Sequence, residues 1–441
     1  MNFVLYLGVL LLLGLMSTRV VKLLKLPNVT GYLVVGLIAA ILCIVFDRTK
    51  IYGNSIADGL TKLNGIVSTI ALGFIALSIG EEFKIEKIKE YGSKIMTITF
   101  LQALLAVVLV DIGLIIACIC LNLNIGIAIC LGAIATATAP AATLMVIHQY
   151  KARGPLVNIL LPVVAFDDAI GLVVFSISVS IAKIFVNNTP VSIINIGIMP
   201  LIEIIGSLVI GLALGFLMHI VIKFFKSRNN HAITIIAFTL LGVGTCEMLS
   251  KITISGQPLE FSNLLCCMMI GAVYVNIAKE EERPIITRDI DLIDRWTPFL
   301  FMLFFVLSGA HLATSAYEII TENEIKFLIP VMIIFAIYLL ARSLGKYFGA
   351  YIGCKITKRE KSITKYLGIT LLPQAGVAIG MANQIGAMPE FAENNIGNII
   401  ITVVLCATLV YELVGPLLTK LALEKAHEIP TEEELANISK A

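Results

Sequence analysis

The sequence predicts an all-α polytopic membrane protein of about thirteen transmembrane helices. They are expected to form two inverted six-helix repeats that share a pair of broken helices. Three observations predict this. Of 441 residues, 58% are hydrophobic and only 14% charged, against about 25% charged in a soluble domain. Apolar runs of about twenty residues, the length a bilayer requires of a helix, recur along the whole chain. Two of these runs are interrupted in mid-span by proline, at matching ranks of the two halves, which is the sequence mark of an inverted-repeat transporter.

The first run, near 3–19, is followed by Arg19, Lys22 and Lys25. A secretory signal has its positive charge before the apolar region, so this run reads as an uncleaved first helix with its N-terminus outside. Further spans lie near 28–46, 64–80, 95–119, 125–147, 156–182, 194–222, 231–249, 260–277, 297–312, 326–353, 362–386 and 396–418. Span 5 is broken at Thr138-Ala139-Pro140 and span 12 at Leu372-Pro373-Gln374-Ala375-Gly376. With 194–222 set aside as a linker helix, 1–185 becomes the first repeat and 231–418 the inverted second. The transmembrane domain is expected over 1–425, and 426–441 as a short polar cytoplasmic tail without room for a nucleotide-binding domain.

The net charge of +2 decides little, because 32 basic residues nearly cancel 30 acidic ones. Their placement decides more. About 24 Lys and Arg fall in the segments that would be cytoplasmic with the N-terminus outside, and about 6 in the outer loops, as the positive-inside rule requires. The nine cysteines mostly sit inside apolar spans, where a thiol behaves as a small hydrophobe. No P-loop, dinucleotide fingerprint, metal-ligand spacing or nucleic-acid footprint is present. No cofactor is expected beyond a transported ion.

The chemistry concentrates in span 6. Asp167 and Asp168 lie side by side with apolar or small residues on either side, and an aspartate at bilayer depth costs roughly 2.5–3.5 kcal/mol. Adjacent helical residues point about 100° apart, so the two carboxylates must face different partners. A buried carboxylate that holds either a proton or a hard cation is the basis of cation/proton exchange. Hard cations take oxygen ligands, and the Thr138 hydroxyl and freed carbonyls of span 5 could supply them. Arg342, within span 11, needs an acidic partner, and Asp167 is the expected one. Lys346, one turn on, is expected to snorkel to the surface. Asp111 is an isolated carboxylate in span 4, and with Thr136 and Gln374 it completes the accessory candidates. Glu203, Glu247 and Glu412 read as span-end residues with water access. Glu81 and Glu82 end span 3, and His148 and His311 read as interfacial.

These residues resemble the monovalent cation/proton antiporter superfamily, in the bacterial Na+/H+ antiporter branch related to the membrane domain of Kef-type systems. The resemblance runs over nearly the whole chain. It is carried by Leu26-Pro27-Asn28-Val29-Thr30-Gly31-Tyr32 through Gly36, by Phe166-Asp167-Asp168, by Phe304 to Gly309, and by Pro373-Gln374-Ala375-Gly376-Val377. It implies crossing broken helices in a core domain, a separate dimerisation domain, a homodimer and elevator-like alternating access. It also implies that Asp168 is the main Na+ and proton carrier, that Asp167 pairs with a basic residue of span 11, and that Thr138 lies in the unwound stretch. Matching the neighbouring glycines puts Arg342 where electrogenic relatives have lysine. Arginine effectively cannot lose its proton, so an Asp167–Arg342 pair and electroneutral exchange are expected.

The functional expectation is therefore a secondary antiporter, not an enzyme, exchanging Na+ or Li+ for H+ across an inner (plasma) membrane. The alternatives are K+/H+ exchange and a sodium-coupled organic-anion symporter. An intramembrane aspartyl protease would need its two aspartates on separate helices, and Asp167 and Asp168 are adjacent.

Overall fold

Lipid offers no hydrogen bonds, so a chain this apolar must close its backbone bonds within each segment, and it does so as helices. The computed structural model describes residues 3–430 apart from 24–27, 49–55, 140–142, 144–145, 148–149, 187–198, 250–252, 255–256, 259–260, 278–281, 324–327 and 393–394. The helices are α1 (Phe3–Leu23), α2 (Asn28–Arg48), α3 (Ile56–Glu82), α4 (Ile85–Leu121), α5 (Ile125–Ile134), α6 (Pro155–Val186), α7 (Met199–Ile222) and α8 (Arg228–Leu249). They continue as α9 (Asn263–Ile277), α10 (Arg283–Trp296), α11 (Pro298–Asn323), α12 (Leu328–Ile356), α13 (Lys361–Thr370), α14 (Gly376–Ala387) and α15 (Ile396–Lys425). One two-residue antiparallel pair, Thr253–Ile254 with Gln257–Pro258, joins α8 to α9.

Each expected span coincides with a helix or with a pair of short ones. Span 12 is α13 plus α14; span 5 is α5 followed, beyond its break, by helical backbone at Thr143, Val146, Ile147 and Tyr150. Among the described residues seven helices are long and apolar enough to cross a membrane, and the bent pair Arg283–Ile293 and Pro298–Thr314 makes an eighth. The sequence reading missed α10. Its buried Ile286 and Ile293 face the bundle. Its Asp289 accepts from the Tyr274 hydroxyl at 2.8 Å and sits 2.8 Å from Nδ1 of His231. α4 is divided at Gly92, whose φ of 71° belongs to the left-handed region that glycine tolerates. The long apolar part of α4 runs on from there.

Several helix pairs touch backbone to backbone, and three of them recur below. Between α2 and α11, Gly36 lies on the carbonyl of Val306 and Gly309 on that of Leu33. Between α3 and α9, Gly80 lies on the carbonyl of Met268 and Gly271 on that of Leu77. Between α4 and α12, Gly345 and Gly349 meet the Cα atoms of Ala106 and Gln102. Small residues that let backbones approach are what membrane helices use in place of a hydrophobic drive. The outer faces stay apolar: Leu12, Met16, Ile116, Ile119, Leu212 and Phe216 are all exposed.

Candidate ion site at the crossing of two broken helices

α5 runs out of helix at Ile134, Ala135 and Thr136 form a turn, and Ala137 to Ala139 are non-helical. Pro140 lies outside the described residues. In the second segment α13 stops at Thr370 and α14 begins at Gly376. Pro373 between them has no N–H to donate and disfavours helix at the residue before it. The two breaks bond to each other. The Ala139 amide donates to the Pro373 carbonyl at 2.8 Å. Gln374 Nε2 donates to the Ile134 carbonyl at 3.0 Å and to the Tyr338 hydroxyl at 2.9 Å.

Both half-helices, α5 and α13, bring their C-terminal ends to this crossing, and such ends carry partial negative charge and unbonded carbonyls. Arg342 of α12 answers both at once. Its Nε donates to the Ala135 carbonyl at 3.1 Å, Nη1 to Leu372 at 2.8 Å and Nη2 to Ala137 at 2.7 Å. Its guanidinium also lies 4.5 Å from the centre of the Tyr411 ring. The expected Asp167–Arg342 ion pair is therefore corrected. The guanidinium is committed to three carbonyls, one on each of its nitrogens.

Asp167 pairs instead with Lys346, whose Nζ lies 2.6 Å from Oδ2, both side chains being wholly buried. The expectation that Lys346 snorkels is corrected with it. Lys346 also donates to the Thr138 hydroxyl oxygen at 2.9 Å and to the Thr136 carbonyl. Asp167 further accepts from Gln102 Nε2 on Oδ1 and from the Thr138 hydroxyl on Oδ2. Arg342 and Lys346 are one helical turn apart on the same face, so spacing alone could not choose between them.

Asp168 is 4% exposed. Its Oδ1 has no hydrogen-bond partner, and it makes no ion pair among the described residues.

The other candidates scatter. The Thr136 hydroxyl turns back to its own helix at Ala133, 2.7 Å away, and only its carbonyl joins the site. Asp111 lies against Gly132 of α5, away from the Asp167 cluster, with Oδ1 unbonded. Glu203 accepts from Ser180 at 2.8 Å. Glu412 is no span-end residue, being 1% exposed. The Glu81 side chain is buried as well. His148 and the Glu82 side chain lie outside the described residues. His311 is half-buried. It joins Asn64 and Asn383 at 2.9 and 3.2 Å beside a cavity of about 410 Å³ that is also lined by Ser68 and Glu247. Sequence reasoning missed Gln102, whose one signal was an amide within the apolar run of α4.

The family model for the transmembrane sodium/hydrogen exchanger matches residues 8–420. The chain belongs to the sodium/hydrogen exchanger family. It is an integral membrane transporter, a cation/proton antiporter and not an enzyme. Among solved structures, the exchanger is similar to the sodium proton antiporter MjNhaP1 from Methanocaldococcus jannaschii at pH 8. That likeness has 20% identity, covers 97% of this chain and 98% of that one, and has a TM-score of 0.70. An electron-microscopy map of the same antiporter matches with a TM-score of 0.63 at 20% identity, over the same shares of both chains. At that identity the likeness is one of fold. Among curated protein sequences none matches the exchanger.

Proposed function

We propose that the exchanger moves Na+ or Li+ against H+ by alternating access, with Asp168 as the carboxylate on which cation and proton compete. The observation that carries this reading is the contrast at the crossing. Both oxygens of Asp167 accept hydrogen bonds, while its neighbour Asp168 keeps Oδ1 open and makes no ion pair among the described residues. Such a group must take a proton or a cation to cross a low-dielectric barrier. The test is proton flux in proteoliposomes under an imposed pH gradient, with Na+, Li+ and K+ added separately. Cation-dependent flux that vanishes in Asp168→Asn supports the reading, and the responding ion names the substrate. Flux that survives the substitution removes Asp168 as carrier.

The pairing of Asp167 with Lys346 withdraws the argument for electroneutral exchange. A buried lysine can give up its proton where an arginine cannot, so Lys346 supplies a second exchangeable proton and each turn moves net charge. Transport that ignores a valinomycin-clamped potential would refute this.

The repeat order 1–185 and 231–418 with a linker at 194–222 is part of the same reading. Exchanging the two halves turns the α2–α11 contact into the α3–α9 contact and the α4–α12 contact into itself, and each has the glycine approach described above. The reading continues to a homodimer in an inner (plasma) membrane, N-terminus outside and C-terminus cytoplasmic, with elevator-like movement of the crossing. The distribution of Lys and Arg along the loops supports that orientation.

A further inference from the structure

Glu412, in the interior of α15, takes no part in the site described above. It is 1% exposed, and neither carboxylate oxygen has a hydrogen-bond partner. A bare carboxylate is not tolerated in such surroundings; it must hold a proton or gain a partner. Two further features mark the same place. Pro416, four residues on, cannot donate to the Glu412 carbonyl, so the helix is opened there as well. Thr408 and Thr419, on the same face at helical spacing, are wholly buried with unpartnered hydroxyl oxygens. Gly415 of that face has Pro373 against its backbone, at 2.9 Å from where a Cβ would stand. The face therefore looks onto the second break.

The neighbours leave Glu412 to itself. Of the helices packed against α15, α5 and α14 carry no charged residue within their bounds. On α13, Lys361 and Lys365 are exposed. α11 brings His311, which is engaged with Asn64 and Asn383, and α2 brings Tyr32. α12 brings Tyr338, bonded to Gln374, Arg342, committed to three carbonyls, and Lys346, committed to Asp167. On α15 itself, Tyr411 donates to the Leu339 carbonyl.

We propose that Glu412 is a proton-binding residue of the exchange cycle, taking up and releasing a proton beside the break between α13 and α14, on a site separate from Asp168. Only an O–H bond forms and breaks. The proton arrives and leaves along the hydroxyl-bearing face toward the C-terminal end of α15. The inference rests on the exchange reading above but not on the identity of the cation carrier.

The test compares wild type with Glu412→Gln and Glu412→Asp in proteoliposomes, measuring Na+-driven proton flux across a range of pH. Glu412→Gln keeps the shape and loses the proton. It is expected to slow exchange about tenfold or more and to flatten the pH profile, with KM for Na+ unchanged and Glu412→Asp partly active. A merely structural carboxyl would leave the profile where it was. An active wild type matched by Glu412→Gln would overturn this inference alone. A wild type without cation-driven flux would overturn the exchange reading and this inference with it. Should the variants fail to fold, wild-type protein treated with an apolar carbodiimide decides the matter. Labelling of Glu412 that falls as pH rises supports the proposal, and no labelling at any pH overturns it.

Discussion

Asp167 and Asp168 share a helix, a depth and a side-chain chemistry, and differ in what reaches them. Asp167 is met by Lys346 from α12, Gln102 from α4 and Thr138 from the first break. Asp168 keeps Oδ1 open and makes no ion pair among the described residues. Burial is common to both, so burial does not mark the carrier. A carboxylate whose acceptor sites are filled has little to gain from a passing ion. One with an open site must find a proton or a cation. In the exchange cycle proposed above, the first stays and the second exchanges.

Substitutions can break that comparison. The largest effect is expected for Asp168→Asn: cation-dependent proton flux falls by about 100-fold or more, while thermal unfolding in detergent is unchanged or moves upward. A loss of stability equal to the loss of transport would mean that Asp168 is structural like its neighbour. Next comes Lys346→Met, which strands a buried Asp167 and should cost about 3–5 kcal/mol. Adding Asp167→Asn to it should restore much of that. A double variant as unstable as the single would show that the ion pair is not what Lys346 contributes.

Arg342→Lys sharpens the contrast from the other side. Lysine cannot reach three carbonyls in a plane, and the backbone groups left bare should cost about 1–3 kcal/mol. The midpoint of thermal unfolding reads this directly. The smallest effect is expected at the far end of α6, where the Glu428 carboxylate accepts from the amides of Leu156 and Val157 at 2.5 and 2.9 Å. Glu428→Gln should cost about 1 kcal/mol or less there and leave Na+ selectivity alone.

The spans, both breaks and the aspartate pair were legible in the sequence because each is written in one stretch of chain. Apolar length gives a span, a proline in mid-run gives a break, and two adjacent carboxylates announce themselves. What was not legible joins distant stretches. The choice between Arg342 and Lys346 depends on which turn of α12 lies level with α6, and no local signal records that. Gln102 is a lone amide that acquires meaning only when α4 is laid beside Asp167. Glu412 looked peripheral because its distance from a span end was judged along the chain. α10 was missed because its charged residues hid a short inward row of isoleucines.

The contact between α4 and α12 has a mechanical consequence. Gly349 lies against the Cα of Gln102 itself, and Gly345 against Ala106 one turn away. Lys346 stands between those two glycines. The two side chains that hold Asp167 from either side are therefore mounted on rods welded along their length. Neither can be withdrawn while the other stays. In the proposed alternating-access cycle, Asp167 is gripped or freed in a single event, as by a snap fastener, and the stroke must leave this fastener closed or open it all at once.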